Sequence, residues 1–428
     1  MALEVGVGTF ESLTTDSVGT TYTVTVGFQP VAGIVFTVGR GGSADANGVL
    51  TSRRCVGFFT STTNRVCEAT MSVHGAAAGS GGLIHANDAV VKTQVTDSTT
   101  VDGAIDVDAI LSTGVRFIVD DVLPVNTRIG VMCFGGADLT NATIVEFNAG
   151  AAGSQQVTTI GFQGTVLFLL GAPNGNVAPT VRSDRATMYF GAATSAADEH
   201  VLSNGMDQGS AAADTGSYCR AGEVAAVLPA GVGSPSATGM ENRATFTQWL
   251  SNGFEINWVE MTTTNYKHFA MVLQGGSWTV GDFLTLTTVD TIVESGFGYT
   301  PKGVIVLSDG KTEPAADDLT VDDRWTFGVA DGSTQHAQAI IDDDGPQTMN
   351  VATGTDFDKV YKNMTVGGSI EGLISVTTFD SDGITFTQDD ADVSAYFAWY
   401  IACGNAAAAV ASSPYYSSYY SRVVAGAH

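Results

Sequence analysis

Basic residues are scarce in this chain. Its 428 residues include 18 lysines and arginines against 44 aspartates and glutamates, which gives a formal net charge of −26. A nucleic-acid surface needs clustered Lys and Arg to contact phosphates, so this scarcity excludes nucleic acid as an expected partner. Only 14% of the residues are charged while 44% are hydrophobic, so the chain can bury large cores and is not generally disordered.

Cysteines and long apolar runs are also few. The five cysteines are an odd number without the paired spacing of zinc sites, and we interpret them as small buried residues in a reducing compartment. No apolar run approaches the roughly 20 residues that cross a bilayer. No basic segment leads into an apolar core after Met1, so we expect neither a membrane partner nor a secretory signal, and synthesis in the cytoplasm.

The residues that are abundant favour β-structure. There are 51 glycines but only 10 prolines, and no helix-length amphipathic run is visible. Tyr22, Val24 and Val26 alternate with threonines, as in a strand with one buried face. Residues 269–273 and 304–307 are apolar without alternation, which is typical of strands buried on both faces. The pattern predicts an all-β protein of antiparallel β-sandwiches with a jelly-roll-like path.

The chain contains an internal repeat. One block places Gly-Phe before an apolar run, and a second block places a glycine between two apolar segments. The first-block glycines are Gly27, Gly161 and Gly296, and the second-block glycines are Gly114, Gly253 and Gly383. A fainter element, Arg followed by an aromatic residue and glycine, recurs around Arg54, Arg185 and Arg324. The order and spacing predict three tandem sandwich units, 1–140, 141–285 and 286–405, followed by an extended tail, 406–428.

No signature of an enzyme emerges from the sequence. The chain has no Gly-x-Ser-x-Gly elbow, no phosphate loop ending in Lys-Ser/Thr and no His-Glu-x-x-His motif. Its six histidines are scattered and do not fall at equivalent places in the three repeats. We therefore expect a protein without catalytic residues.

The third repeat is the most acidic part of the chain. Its net charge is −15, against −6 for each of the other two. Calcium prefers flexible loops of carboxylates, so a structural Ca²⁺ is one interpretation, with Asp342, Asp344, Asp380 and Asp382 as candidate ligands. The alternative is a solvated, self-repelling surface, which we favour because the spacing matches no defined calcium loop. We expect no other cofactor.

Two tryptophans are candidates for glycan contact. Three of the five tryptophans lie inside expected core strands, whereas Trp278 and Trp325 do not. An exposed indole ring stacks well on a sugar, so these two would carry a lectin-like surface if they face solvent.

The tail has an unusual composition. Small apolar residues lead into Ser412-Ser413-Pro414 and four tyrosines, Tyr415, Tyr416, Tyr419 and Tyr420. Tyrosine offers a rigid amphipathic contact surface, which is favoured at binding sites. The alternatives are a disordered terminus and an arm that docks on a neighbouring molecule, and we favour the arm.

The repeat resembles a group of uncharacterised structural proteins of tailed viruses. The resemblance rests on Gly27-Phe28-Gln29-Pro30 before the apolar run 31–36, on residues 114–121 and on the strand 128–136 that closes with Gly-Gly. All three repeats match, so the resemblance covers nearly all of the chain before the tail. It implies a virion component with serial sandwich modules and no catalytic residues.

Within that class we expect a capsid-surface decoration or spike-like protein. Its partners would be the major capsid protein and sister copies of the chain, which implies a homo-oligomer located in the virion. Two alternatives stay open. One is a tail fibre or tail-tip adhesin, and the other is a carbohydrate-binding module that recognises the host surface.

Overall fold

The structure is a computed structural model that describes most of the chain. The described residues are 2–42, 45–76, 80–95, 99–173, 180–182, 185–207, 215–228, 240–262, 266–312, 322–343 and 349–406. Within these ranges the regular secondary structure is entirely strand, and every strand pair is antiparallel. The expected all-β class of antiparallel sandwiches is confirmed.

The strands group into three consecutive sections of the chain. The first section contains β1 (Glu4–Ser12), β2 (Thr21–Thr25), β3 (Pro30–Thr37), β4 (Ala46–Val49), β5 (Ser52–Phe59), β6 (Arg65–Ser72), β7 (Gly81–Ala86), β8 (Val91–Gln94), β9 (Val101–Leu111), β10 (Gly114–Asp121) and β11 (Thr127–Gly135). The second section contains β12 (Asn141–Asn148), β13 (Gly153–Val157), β14 (Val166–Gly171), β15 (Thr180–Arg182), β16 (Arg185–Ser195), β17 (Asp198–Asp207), β18 (Thr215–Ala221), β19 (Ala225–Val227), β20 (Asn242–Leu250), β21 (Gly253–Met261) and β22 (Lys267–Gln274). The third section contains β23 (Ser277–Leu284), β24 (Thr291–Ser295), β25 (Tyr299–Ser308), β26 (Asp323–Asp331), β27 (Gln335–Asp342), β28 (Val351–Asp356), β29 (Tyr361–Met364), β30 (Ile370–Asp380), β31 (Gly383–Asp390) and β32 (Phe397–Ala406).

Each section forms one large and one small sheet with the same strand order. In the first section the large sheet runs β1-β11-β3-β5-β6-β7 and the small sheet runs β2-β10-β9-β8. The second section repeats this order as β12-β22-β14-β16-β17-β18 and β13-β21-β20-β19, and the third as β23-β32-β25-β26-β27-β28 and β24-β31-β30-β29. Hairpins join β5, β6 and β7 within one sheet, so the path is closer to a meander than to a jelly roll.

Strand β23 places one section boundary earlier than the sequence predicts. It pairs along its whole length with β32, from Ser277 opposite Gly404 to Leu284 opposite Phe397. It therefore belongs to the third section, which begins before residue 277 rather than at 286. The sequence misassigned it because the alternation of a strand marks its buried face but not its pairing partner.

Two short strands cross from one section to another. β4 of the first section adds to β28, the edge of the third large sheet. β15 of the second section adds to β7, the edge of the first large sheet. Both strands cover an edge that would otherwise present unpaired backbone groups. In the third section, the stretch between β25 and β26 includes residues 313–321, which lie outside the described residues.

The three sections close into a ring. The edge strand of each large sheet contacts the strand that opens the hairpin series of the next section: β7 contacts β16, β18 contacts β26, and β28 contacts β5. The same surface thus meets the same partner surface three times, and the third contact returns to the first section. A repeated head-to-tail contact that closes in this way gives approximate three-fold symmetry within one chain.

The large sheets share a central core in the middle of the ring. Phe58 contacts Phe190 at 6.2 Å between ring centroids, Phe190 contacts Phe327 at 5.3 Å, and Phe327 contacts Phe36 at 4.7 Å. These contacts link the first section to the second, the second to the third and the third to the first. Each buried phenylalanine contributes roughly 2 kcal/mol, so the sections are expected to stabilise one another.

Separate cores lie between the large and small sheet of each section. The large sheets therefore pack on both faces. Residues 269–273 and 304–307 are buried throughout, as their non-alternating apolar pattern predicts.

The repeated glycines mark one joint in each small sheet. At the second-block glycines, an added Cβ would lie 1.8–2.0 Å from a carbonyl oxygen of the paired strand, so only glycine fits without backbone movement. The first-block glycines have φ between +85° and +89°. Their N–H groups donate, at 3.0–3.1 Å, to the carbonyl of the residue just before each second-block glycine. The two sequence blocks therefore pair with each other in all three sections.

Candidate functional site

The predicted calcium ligands do not come together. Asp342 is buried on the third large sheet, while Asp380 and Asp382 lie at the β30–β31 turn of the small sheet. There Asp380 accepts hydrogen bonds from the hydroxyls of Thr378 and Thr385, so its oxygens serve the hairpin. Asp344 lies outside the described residues.

A different acidic group forms where β4 joins the third section. The ligand atoms of Asp45, Asp356 and Asp358 lie within 4.8 Å of one another, and no other such group occurs among the residues that the structure describes. Asp45 accepts the N–H of Phe357 (3.0 Å) and Asp356 pairs with Lys362 (3.3 Å). Burial raises the pKa of Asp356 to about 6. The hydrogen bonds and the ion pair give this group a structural role, which is to hold β4 against the third section.

Both candidate tryptophans pack inside the molecule. Trp325 is 2% exposed in the central core. Trp278 is half-buried against Phe134 and Phe168, and its Nε1 donates to the Gly275 carbonyl at 2.8 Å. Trp325 therefore has no open face for stacking on a sugar, whereas Trp278 keeps part of its surface exposed. The surroundings of Trp278 could not be predicted from the sequence, because the pairing of its strand with β32 joins residues more than 100 positions apart.

The tail tyrosines Tyr415, Tyr416, Tyr419 and Tyr420 lie outside the described residues. Their expected role in partner binding therefore stays a prediction.

A buried polar cluster lies where all three sections meet. Arg54 on β5 donates from Nε to the Thr70 hydroxyl (3.0 Å) and from Nη2 to Asp323 of β26 (3.2 Å). Asn204 of β17 donates to the other carboxylate oxygen of Asp323 (2.6 Å). The first section thus supplies a cation, the second an amide and the third an anion. Because charges buried at low dielectric are costly unless paired, this cluster favours one arrangement of the sections.

The sequence only partly indicated this cluster. Arg54 stood out through the faint Arg-aromatic-Gly repeat, but Asp323 was grouped with the acidic surface of the third repeat. Opposite charges far apart in the chain leave no local pattern, so the pairing could not be read from spacing.

Asp342 lies beside this cluster and behaves as a neutral acid. Burial raises its pKa to about 8, and the nearby Asp323 carboxylate acts in the same direction, while Ser72 and Arg54 act against them. Since Arg54 is already paired with Asp323, a proton neutralises Asp342 at neutral pH. This chemistry is the opposite of that of a calcium ligand, which must be ionised.

Two histidines occupy matching positions, contrary to the sequence interpretation. In the second section, the glycine of the Arg-aromatic-Gly element is Gly191, which pairs with Val201, and His200 directly precedes Val201. In the third section, the glycine is Gly328, which pairs with Ala337, and His336 directly precedes Ala337. His200 contacts Asp282 of the third section (2.9 Å) and His336 packs on Phe36 of the first. Burial lowers the pKa of His336 to about 3. Both are nearly inaccessible to solvent, so they serve the joints between sections.

One open groove lies between the first and third sections, and we call it the terminal groove. Its apolar and terminal lining residues are Val5, Val26, Phe28, Pro301, Phe379 and Asn405. It continues past Gly332 and Phe379 to Gln335 and Thr377. The Asn405 side chain accepts the N–H of Leu3, which holds both ends of the described chain at this groove.

The chain matches no protein-family model, and the search of curated proteins found no similar sequence. Across the described ranges, none of the secondary structure is a helix of the length and apolar character needed to cross a membrane.

Proposed function

We propose that this chain is a non-enzymatic structural protein of a virus particle that sits on the capsid surface as a decoration or spike-like protein. The observation that carries the proposal is ring closure, in which each section contacts the next through the same strands. One copy of such a ring presents three related outer faces around one axis. That shape suits a position where three copies of a shell protein meet.

The distribution of charge supports an outward-facing third section. Residues 277–406 of this section carry −16 of the total −26, whereas the first section carries −6 and the second −5. Strong like charge resists association and keeps a surface in solvent. We therefore expect the acidic side chains of this section to face solvent, while one end of the ring, to which all three sections contribute, contacts the capsid protein.

Among the described residues, the two candidate tryptophans do not favour the adhesin alternative. It requires aromatic side chains exposed at one end of the molecule, and the two tryptophans that the sequence offered pack in or against the central core. A glycan-binding role therefore has no support from these residues.

Image reconstruction of purified particles, without imposed local symmetry, tests the proposal. We expect a three-lobed density on the head, with one chain at each position of local three-fold symmetry. Particles prepared without the chain should assemble but lack these lobes. Density on the tail, or a copy number of three chains per position, would contradict the assignment.

A further inference from the structure

The terminal groove combines apolar walls with exposure to solvent. Val5, Val26 and Phe379 are only partly buried, and Phe28, which is 9% exposed, also lines the groove. Gly332 at its edge has no atom within 4 Å of the place where a side chain would begin. Within the described ranges nothing covers the groove, although apolar side chains of this kind gain stability when they are covered.

The end of the described chain lies at this groove. β32 ends at Ala406, which pairs with Tyr299, and the preceding Asn405 lines the groove. The 22 residues that follow, 407–428, are therefore attached at its edge. The first tail tyrosine, Tyr415, is nine residues beyond Ala406, and nine residues span at most about 30 Å. This length is enough for the tyrosines to reach the groove that Asn405 lines.

The chemistry of the tail matches that of the groove. Tyrosine rings can pack on Phe28 and Phe379, while their hydroxyls can reach polar groups such as Thr377 and Gln335 on the rim. The tail contains one basic residue, Arg422, and no acidic residue. The groove is lined by one acidic and one basic residue, Glu4 and Lys302, so its charge does not oppose association with the tail.

We propose that residues 407–428 bind in the terminal groove of their own chain, with the tyrosines packed on Phe28 and Phe379. Attachment at the groove edge gives the tail an effective concentration in about the millimolar range, which favours its own groove over that of another molecule. The inference does not rest on the proposed virion function. Docking of the tail on a neighbouring molecule is the competing outcome of the test.

Limited proteolysis with chymotrypsin, which cleaves after tyrosine, tests the proposal on the full-length chain. The variant Gly332→Trp fills the groove, because the position is open and its backbone is not left-handed. Gly367→Trp is the matched control. It lies between β29 and β30, away from the groove, and the nearest atom to an added Cβ is 3.6 Å away. Thermal unfolding of each variant checks that it is folded.

We expect the wild-type tail to be cleaved at least tenfold more slowly than the tail of Gly332→Trp, with Gly367→Trp like wild type. Protection should be unchanged by hundredfold dilution, since the contact is within one chain. Equal cleavage in all three proteins would overturn the proposal. Loss of wild-type protection on dilution would also overturn it and assign the tail to a neighbouring copy.

Hydrogen exchange provides a second measurement that needs no groove variant. Removal of residues 407–428 should raise amide exchange at least tenfold in 26–28 and 376–379, and leave 253–261 of the second small sheet unchanged. Unchanged exchange in the groove would overturn the proposal.

Discussion

Glu199 is the residue whose replacement tests the fold most sharply. It is 2% exposed and accepts the N–H of Phe246 at a bulge of the second small sheet. Gln335 occupies the matching position in the third section, where its Oε1 accepts the N–H of Val376 (2.7 Å) and its Nε2 donates to the carbonyl of the same residue (2.8 Å). A neutral amide thus supports the same bulge, so we expect Glu199→Gln to stabilise the protein at neutral pH.

The magnitude follows from the protonation of Glu199. Burial raises its pKa from 4.5 to about 8. At pH 7 the side chain is protonated in the folded state and ionised in the unfolded state. The roughly 2.5 units between 4.5 and pH 7 then correspond to about 3 kcal/mol. Because the pKa of Glu199 is raised in the folded state, its contribution to the free energy of unfolding is fully present below pH 4.5 and is lost as the pH rises towards 8.

Urea unfolding at pH 4.5, 7 and 8.5 measures this effect. Glu199→Gln should gain about 1–3 kcal/mol over wild type at pH 7 and little at pH 4.5. The reciprocal variant Gln335→Glu is the matched control, and it should lose stability as the pH rises. The reasoning is refuted if Glu199→Gln is less stable than wild type at pH 7, or if both proteins show the same pH dependence.

Three further predictions have distinct expected outcomes. Arg54→Met should destabilise the chain by about 3–5 kcal/mol in urea unfolding, because it leaves a buried aspartate without its cation; a loss below about 1 kcal/mol would contradict the polar cluster. Gly191→Ala places a Cβ 1.8 Å from the carbonyl oxygen of Val224 and should lower the midpoint of thermal unfolding strongly. The control Gly332→Ala places its Cβ in open space and should change the free energy of unfolding by less than about 0.5 kcal/mol. Burial raises the pKa of Asp342 from 3.8 to about 8, so wild type should lose stability as the pH rises from about 4 to 8; Asp342→Asn should remove this loss, and identical pH profiles would contradict this.

The repeated glycines show what sequence could predict. Their spacing reveals the repeat because a close backbone approach leaves no room for a side chain at Gly114, Gly253 and Gly383. The constraint is local and recurs in each section, so it leaves a pattern in the chain. The alternation of polar and apolar residues likewise predicts the strands and their class, because burial acts on each side chain separately.

The ring could not be predicted from the sequence, because it depends on which surfaces of the three sections contact one another. Residues 304–307 indicated a strand buried on both faces, but not that its second face meets other sections of the chain. For the same reason the sequence allows Trp325 to be a candidate for glycan contact, since its sequence neighbours do not reveal the central core that covers it. Partner choice between sections is a long-range property that single-chain patterns do not encode.

The axis of the ring explains how one chain can fix the order of three similar sections. Arg54, Met188 and Trp325 share one register, three residues before the glycine of the Arg-aromatic-Gly element. Three identical chains would bring three guanidinium groups to this place, and like charges buried together repel strongly. Here Arg54 lies 5.8 Å over the Trp325 ring and pairs with Asp323, while Met188 packs in the central core. Because Asn204 completes the hydrogen bonds to Asp323, exchanging two sections would leave a charge buried and unpaired, which disfavours the opposite order around the ring.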